Sequence, residues 1–570
     1  MRTLGLRDVI GPIMVGPSSS HTAGALAIAR MARRLCGSAP RRVTFTLYGS
    51  FAHTGRGHGT DKALVAGMLG LAADDLAIRN SFELAERAGI DVALAFDTKT
   101  AQEHPNTVDV AIEEQDGTTL DVRGVSIGGG AAVITRIDGI DVDITGEHTS
   151  IVVHQQDECG VLAHIASCLA TCGINIATTR MFRTRRGADA FTVMETDDAI
   201  TAQVRALIED HPSVHSVRII PAAAAQGGAD AETDEARAAD VTDATRAADA
   251  AGTAGEPTQD SASSAHLDAA AAERELARWD FVSGSELFAR CAQERGSIAQ
   301  TFRRREEALA ALNGTDAAID AYLDRVLDVM RNAAHAPLGH GTSSTGGLIG
   351  GEAHAIIAST EAGVPTLLDP LGITATAFAL ATLETNASMG RIVATPTAGS
   401  AGVVPAVLLA LEERRGFTQE QLREGLLTAA AVGYLVARNA SVSGAEGGCQ
   451  AEVGTACAMA AAAAVEMCGG TPEQALSAAS NALTSLMGLV CDPVGGLVEV
   501  PCQKRNATAA ITSLVSAQIA FAGIENLVDF DETVAAMDAV GRALPFELRE
   551  SALGGIAAAP SACAFCAGCA

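Results

Sequence analysis

Residues 222–266 read AAAAQGGADAETDEARAADVTDATRAADAAGTAGEPTQDSASSAH, and this stretch limits the folding of the chain more than any other. Val241 is its sole large apolar residue and it holds no aromatic. Such a segment cannot bury enough apolar surface to offset the entropy lost on ordering it, so it is expected to be a flexible acidic linker. The chain is thereby cut into two halves that must each build a core. At 570 residues, about three or four folding units are expected in total.

The first half divides again. Residues 1–148 alternate helical and strand patterns: a helix after SSSHTAGALAIARMARRL, a strand at RVTFTLYG, a helix at TDKALVAGMLGL, then the short strands TVDVAIEE, TLDVRGVSI and AAVITRIDG. This predicts an α+β domain. Residues 149–221 start with an alternating strand (149–155), followed by a helix with apolar Val161, Leu162, Ile165 and Leu169 that Gly173 closes. Strands near 174–182 and 189–196, a helix near 200–210 and a strand near 214–220 complete a βαββαβ, ferredoxin-like order. Its D-x-x-G-x-L-A…G-I-N-I pattern resembles the ACT regulatory domains, which bind amino acids at pairs of such units; a dimerisation module without ligand is the alternative. The linker is expected to run over 222–274. From 275 to 570, helical periods separated by Gly-rich loops predict an all-α domain with a Cys-rich tail.

Composition narrows the partners. A formal charge of −28 argues against nucleic acid or an anionic membrane surface, either of which needs clustered Lys and Arg. The N-terminal MRTLGLRDVIGPIMVGPSSSHT lacks the apolar core of a secretion signal, and no long uncharged apolar run follows, so a cytoplasmic protein is expected. There the thirteen cysteines are expected as free thiols or metal ligands.

Three cysteines lie where the backbone bends freely. Cys449 follows a Gly-Gly step in SGAEGGCQAEVG, Cys491 precedes an Asp-Pro turn in GLVCDPVGG, and Cys502 follows a proline in VEVPCQKRNA. Soft thiolates on loops suit an iron–sulfur cluster or zinc, and buried unligated thiols fit the spacing equally. In GPSSSHTAGA, Ser18, Ser19, Ser20 and Thr22, with His21, stand where a helix begins, so hydroxyls and unpaired N–H groups can face a carboxylate. One serine would suffice for an ordinary helix cap. His58, in the Gly-flanked loop GSFAHTGRGHGTDKA, is a candidate base, with His21, His53 and His340 as competitors. Thr395, Thr397 and Ser400 alternate with small residues in ATPTAGSAG, fitting either substrate binding or a capping turn. Asn386, Arg505 and Asn506 are weaker candidates, Arg505 as a counter-charge to thiolates.

The stretches SGAEGGCQAEVG, CDPVGGLVEVPCQKRNA, ATPTAGSAGVVPA and GPSSSHTAGA together, in this order-bearing set across both halves, resemble the iron–sulfur L-serine dehydratases, or L-serine ammonia-lyases. The resemblance implies that residues 1–148 correspond to the family's β domain and about 275–560 to its catalytic α domain, with the ACT-like unit inserted. It further implies a [4Fe-4S] cluster on Cys449, Cys491 and Cys502 with one iron open to the serine hydroxyl, His58 as the base, and a C-terminal cysteine, here Cys563, able to occupy that iron at rest. Cys566 and Cys569 follow Cys563 in a C-x-x-C-x-x-C pattern that could equally hold a separate metal. L-Serine as substrate and a homodimer are the expected partners. Rival readings are a lyase of the same superfamily acting on threonine or cysteine, a catalytically dead amino-acid sensor, and a pyridoxal-phosphate enzyme. The last needs a Schiff-base lysine, and only Lys62, Lys99 and Lys504 are present.

Overall fold

The computed structural model describes residues 4–146, 148–196, 198, 200–220 and 269–568. The expected linker at 222–266 and Cys569 lie outside the described residues. In chain order the strands are β1 (Ile13–Val15), β2 (Pro40–Tyr48), β3 (Asp91–Asp97), β4 (Thr107–Glu114), β5 (Thr119–Gly128), β6 (Ala131–Ile137), β7 (Ile140–Ile144), β8 (Thr149–Gln156), β9 (Ile176–Arg183), β10 (Asp189–Thr196), β11 (Val214–Ile220) and β12 (Arg391–Val393). These and the helices fall into two compact units. An α+β unit begins at Ser20 and holds β2 to β11; a helical unit joins the residues up to Ser19 to the chain from 269 onward.

In the α+β unit, strand order β3-β2-β4-β5-β6-β7 makes a mixed six-stranded sheet. Only β2 and β3 run parallel, Arg42 opposite Asp91 through Tyr48 opposite Asp97. Parallel neighbours need a crossover, which the helices Thr60–Met68 and Ser81–Arg87 supply. Along β7 buried and exposed residues alternate without exception, as a sheet with one solvated face requires.

The second sheet of this unit has the order β11-β8-β10-β9, antiparallel throughout. With helices Val161–Thr171 and Ala202–Glu209 it forms the expected βαββαβ succession. Ile151 and Val153 on β8, Met194 on β10 and Val217 on β11 meet Val161, Ile165, Leu169, Val204 and Ile208 in one core. Arg218 donates to the Leu35 carbonyl and Arg180 pairs with Asp143, tying this layer to the first sheet.

The helical unit is built around Thr455–Met467, TACAMAAAAAVEM, in which every residue but Glu466 is buried. Alanines let Gln419–Asn439, Pro472–Leu486 and Cys502–Phe521 pack closely on this one helix. No helix among the described residues is long and apolar enough to cross a membrane.

Two boundaries differ from the sequence expectation. The helix Ala269–Trp279 opens inside the stretch assigned to the linker up to 274, because AAAAERELARW combines strong helix formers with a buried Trp279. The residues up to Ser19, grouped by sequence with the α+β domain, belong to the helical unit. Leu6, Val9 and Ile10 enter its core, the Leu6 N–H donates to Glu306 (2.7 Å), and wholly buried Arg305 donates to the Leu4 carbonyl (3.0 Å). β1 then pairs antiparallel with β12. A buried guanidinium is costly unless paired; Arg305 meets Asp280 at 2.7 Å and Glu306 at 2.6 Å and lies 4.1 Å from the Tyr434 ring centre.

Candidate functional site

In the helical unit the chain turns sharply before each of the three thiols. Gly448 takes φ +76 ahead of Cys449. Cys491 is clamped by the C-terminal strap, its N–H donating to the Leu548 carbonyl and its carbonyl accepting from Glu550, each at 2.9 Å. Cys502 opens the helix Cys502–Phe521 directly after Pro501. All three are buried. Burial pushes the Cys449 thiol up to about 12 and raises Cys491 and Cys502 well above the usual thiol range, to which the repulsion of neighbouring carboxylates and of the other thiols adds. The thiols therefore sense one another.

Their surroundings are charged. Arg505 stabilises the thiolate forms of Cys449 and Cys502; it is fixed 2.8 Å from Asp492 and donates to the Val490 carbonyl at 2.8 Å. Two half-buried carboxyls face the thiols: desolvation raises the pKa of Glu452 above the usual carboxylate range, and desolvation with repulsion from Glu452 raises that of Glu550. Three thiols that resist ionising beside an arginine form a donor set that a positively charged soft metal centre would satisfy.

The 395–402 loop is held from two helices. Asn386 donates to the Ala398 carbonyl (2.9 Å), Asn506 donates to the Gly399 carbonyl (2.8 Å) and accepts from the Gly402 N–H (3.0 Å). Thr397 donates to Glu452 at 2.8 Å and lies 3.1 Å from the Ser400 hydroxyl, which also donates to the Thr395 carbonyl at 3.0 Å. Thr397 and Ser400 are thus engaged within the loop. The Thr395 hydroxyl and the Asn386 carbonyl oxygen are buried without a protein partner, and either can take a hydrogen bond from a ligand.

Ser19–Gly24, which enters the α+β unit at Ser20, is a wide turn with π-type hydrogen bonds leading into the helix Ala25–Leu35, not a simple capped helix start. Such turns recur at functional sites. Ser18 and Ser19 end the N-terminal stretch of the helical unit, and Ser20, His21 and Thr22 open this one. Gly24 leaves room that a larger residue would fill: a Cβ there would overlap the Ser126 side chain, whose hydroxyl donates to the Ser20 carbonyl at 2.8 Å. Thr22 donates to the His58 carbonyl (2.7 Å), which pins the histidine loop.

His58 is wholly buried. Its Nδ1 lies 3.1 Å from the Thr54 carbonyl, so that nitrogen carries the hydrogen and Nε2 keeps a lone pair with no protein partner. Burial pushes its pKa down to about 4. His21 stacks on it at 4.5 Å and bonds Ser50 at 2.8 Å; burial, then His58, lowers its pKa also. Of the other competitors, His53 and His340 are exposed.

Cys563 is exposed, with its sulfur 3.9 Å from the Ala557 carbonyl, and is not brought among the three buried thiols. The strap before it does reach them: Ile556 donates to Asp492 at 2.8 Å, and Glu550 takes φ +56 as it turns inward. Glu452, Asp492 and Glu550 were not singled out from sequence. Glu452, one helical turn after Cys449, had a local signal; Asp492 adjoins Cys491, but its grip on the strap and the placing of Glu550 are long-range.

The sequence model of the serine dehydratase alpha chain matches residues 261–557, and that of the beta chain residues 9–136. The chain is 51% identical over 239 residues to the probable L-serine dehydratase alpha chain of Bacillus subtilis, covering 42% of this chain and 79% of the relative. It is 46% identical over 252 residues to the L-serine dehydratase alpha chain of Peptoniphilus asaccharolyticus (44% and 86%). It is 37% identical over 217 residues to the probable beta chain of Bacillus subtilis (38% and 98%). Matches to both chains of the serine dehydratases, over the helical unit and the α+β unit, give the class of protein: a lyase. The chain belongs to the serine dehydratase family and carries alpha- and beta-chain regions in one polypeptide.

Proposed function

We propose that this chain is an L-serine ammonia-lyase, converting L-serine to pyruvate and ammonia. The observation that carries the reading is the buried set Cys449, Cys491 and Cys502 beside Arg505, in a chain similar to L-serine dehydratase alpha and beta chains. Those thiols are the residues to hold a [4Fe-4S] cluster, which when bound supplies a Lewis acid for the poor leaving group of serine. Neutral His58 accepts the Cα proton at Nε2, and Thr22 holds its loop. Ser18, Ser19, Ser20 and His21 orient the substrate carboxylate, while Thr395 offers its unpaired hydroxyl to the substrate and Thr397 and Ser400 shape the loop that presents it. Loss of water leaves aminoacrylate, which tautomerises and hydrolyses.

The antiparallel sheet and two helices of 149–221 support reading this segment as an ACT-type domain that binds an amino acid and pairs with a second copy in a homodimer. The eleven cysteines whose side chains are described are all free, which suits the reducing cytoplasm. Anaerobic reconstitution with iron and sulfide tests the main reading: a broad brown absorption and serine-dependent pyruvate release are expected, both lost in Cys449→Ser. A protein that takes up iron yet releases no pyruvate would instead be a serine sensor.

A further inference from the structure

The helical unit contains the same loop twice. Residues 361–370 read EAGVPTLLDP and residues 521–530 read FAGIENLVDF. Each follows a helix, Glu352–Glu361 or Cys502–Phe521, and precedes another, Pro370–Ala387 or Phe530–Ala543. Gly363 and Gly523 end the first helix at φ +75 and +72. The next N–H reaches back five residues in both, Val364 to the Ser359 carbonyl and Ile524 to the Ile519 carbonyl. Asp369 and Asp529 then cap the following helix, each accepting an N–H three residues on at 2.8 Å.

The duplication extends to what the loops expose. Val364 and Ile524 are 52% and 58% exposed, Leu367 and Leu527 102% and 100%, Leu368 and Val528 40% and 44%. A single exposed leucine needs no explanation, but the same three apolar positions laid open twice do. Both loops emerge at one end of the unit. Gln503, at the start of Cys502–Phe521, lies against Leu380 and Glu384 towards the end of Pro370–Ala387, so these packed helices run antiparallel.

We propose that these paired loops are the surface on which a second copy of this chain docks. The inference rests on the homodimer reading and adds where the copies meet. The six residues expose roughly 700 Å² together, close to what each partner gives to a standard interface. Beside the second loop lies a groove of about 510 Å³ whose apolar lining includes Phe288, Leu476 and Phe530, a seat for the Leu367 loop of the other copy. Reciprocal insertion uses the same patch on both molecules, as a two-fold contact requires. The acidic residues flanking the loops, Glu361, Asp369, Glu525 and Asp529, weigh against an anionic membrane as the occupant.

Sedimentation velocity of the full chain over the micromolar range tests this. The wild type is expected to sediment as a dimer and Leu367→Asp/Leu527→Asp as a monomer, its dissociation constant raised at least about 100-fold. Leu367→Met/Leu527→Met should remain dimeric, and Leu367→Gln/Leu527→Gln repeats the test should the charged variant fail to give a native circular dichroism spectrum. A charged or Gln variant that is folded and still dimeric overturns the proposal while leaving the homodimer reading intact. A monomeric wild type overturns both.

Discussion

His58 offers the sharpest quantitative test, because its environment and its proposed role make opposite demands on its proton. The imidazole is wholly buried, bonded through Nδ1 to Thr54, and burial lowers its pKa from 6.5 to about 4. At pH 7 roughly one molecule in a thousand then carries the proton, against about one in four for an exposed histidine. The shift corresponds to about 3 kcal/mol in favour of the neutral form. The folded pKa is depressed, so the unfolded chain takes up the proton first. The stability this group contributes is full above about 6.5 and is lost as pH falls towards about 4. For catalysis, kcat/KM of the reconstituted enzyme should show no His58-dependent acid limb near 6.5. A bound substrate carboxylate favours the imidazolium, so the limb in kcat should lie above that in kcat/KM. Imidazole resonances followed by NMR from pH 8 to 5 give the direct readout, assigned by loss in His58→Asn. A His58 resonance titrating near 6.5, or a kcat/KM limb there that the variant removes, would refute the argument.

Four further outcomes follow from the same geometry. Cys491→Ser and Cys502→Ser should abolish the visible absorption of the reconstituted protein. Cys457→Ser should keep it, although burial raises that thiol to about 12 as well, because its sulfur is committed to the Ala509 carbonyl and Ser513. Gly24→Ala should cost about 1–3 kcal/mol by overlap with Ser126, read by thermal unfolding, and Ser126→Gly in the same chain should recover part of it. L-Threonine, one methyl larger, should be used with kcat/KM about 10–200-fold below that for L-serine in parallel steady-state assays; a ratio near one would place the specificity elsewhere.

Much of the molecule was legible as pattern. The βαββαβ segment showed itself through short-range periodicity, because strands of period two and helices of period 3.6 leave local marks that survive without partners. The thiols were legible as loop cysteines, since Gly-Gly, Asp-Pro and proline steps announce where a backbone bends. Less visible was the destination of residues 4–19. Their apolar residues look like those of any core, and only the long-range bonds to Arg305, Glu306 and β12 show which core they join. In the sequence Thr397 and Ser400 fit either substrate binding or a capping turn; only the fold shows that they bond each other and that Thr397 donates to Glu452, a side chain more than fifty residues away.

Local covalent chemistry settled which atoms were available: soft sulfur on bendable backbone, an imidazole between glycines, hydroxyls ahead of a helix. These are properties of side chains and their immediate neighbours, so a linear reading reaches them. Burial and proximity belong to the folded chain alone. Desolvation holds His58 neutral and the three thiols reluctant to ionise, and the strap returns from residue 550 to set a carboxyl against Cys491. Each effect depends on what surrounds a group in space, which no window of consecutive residues contains.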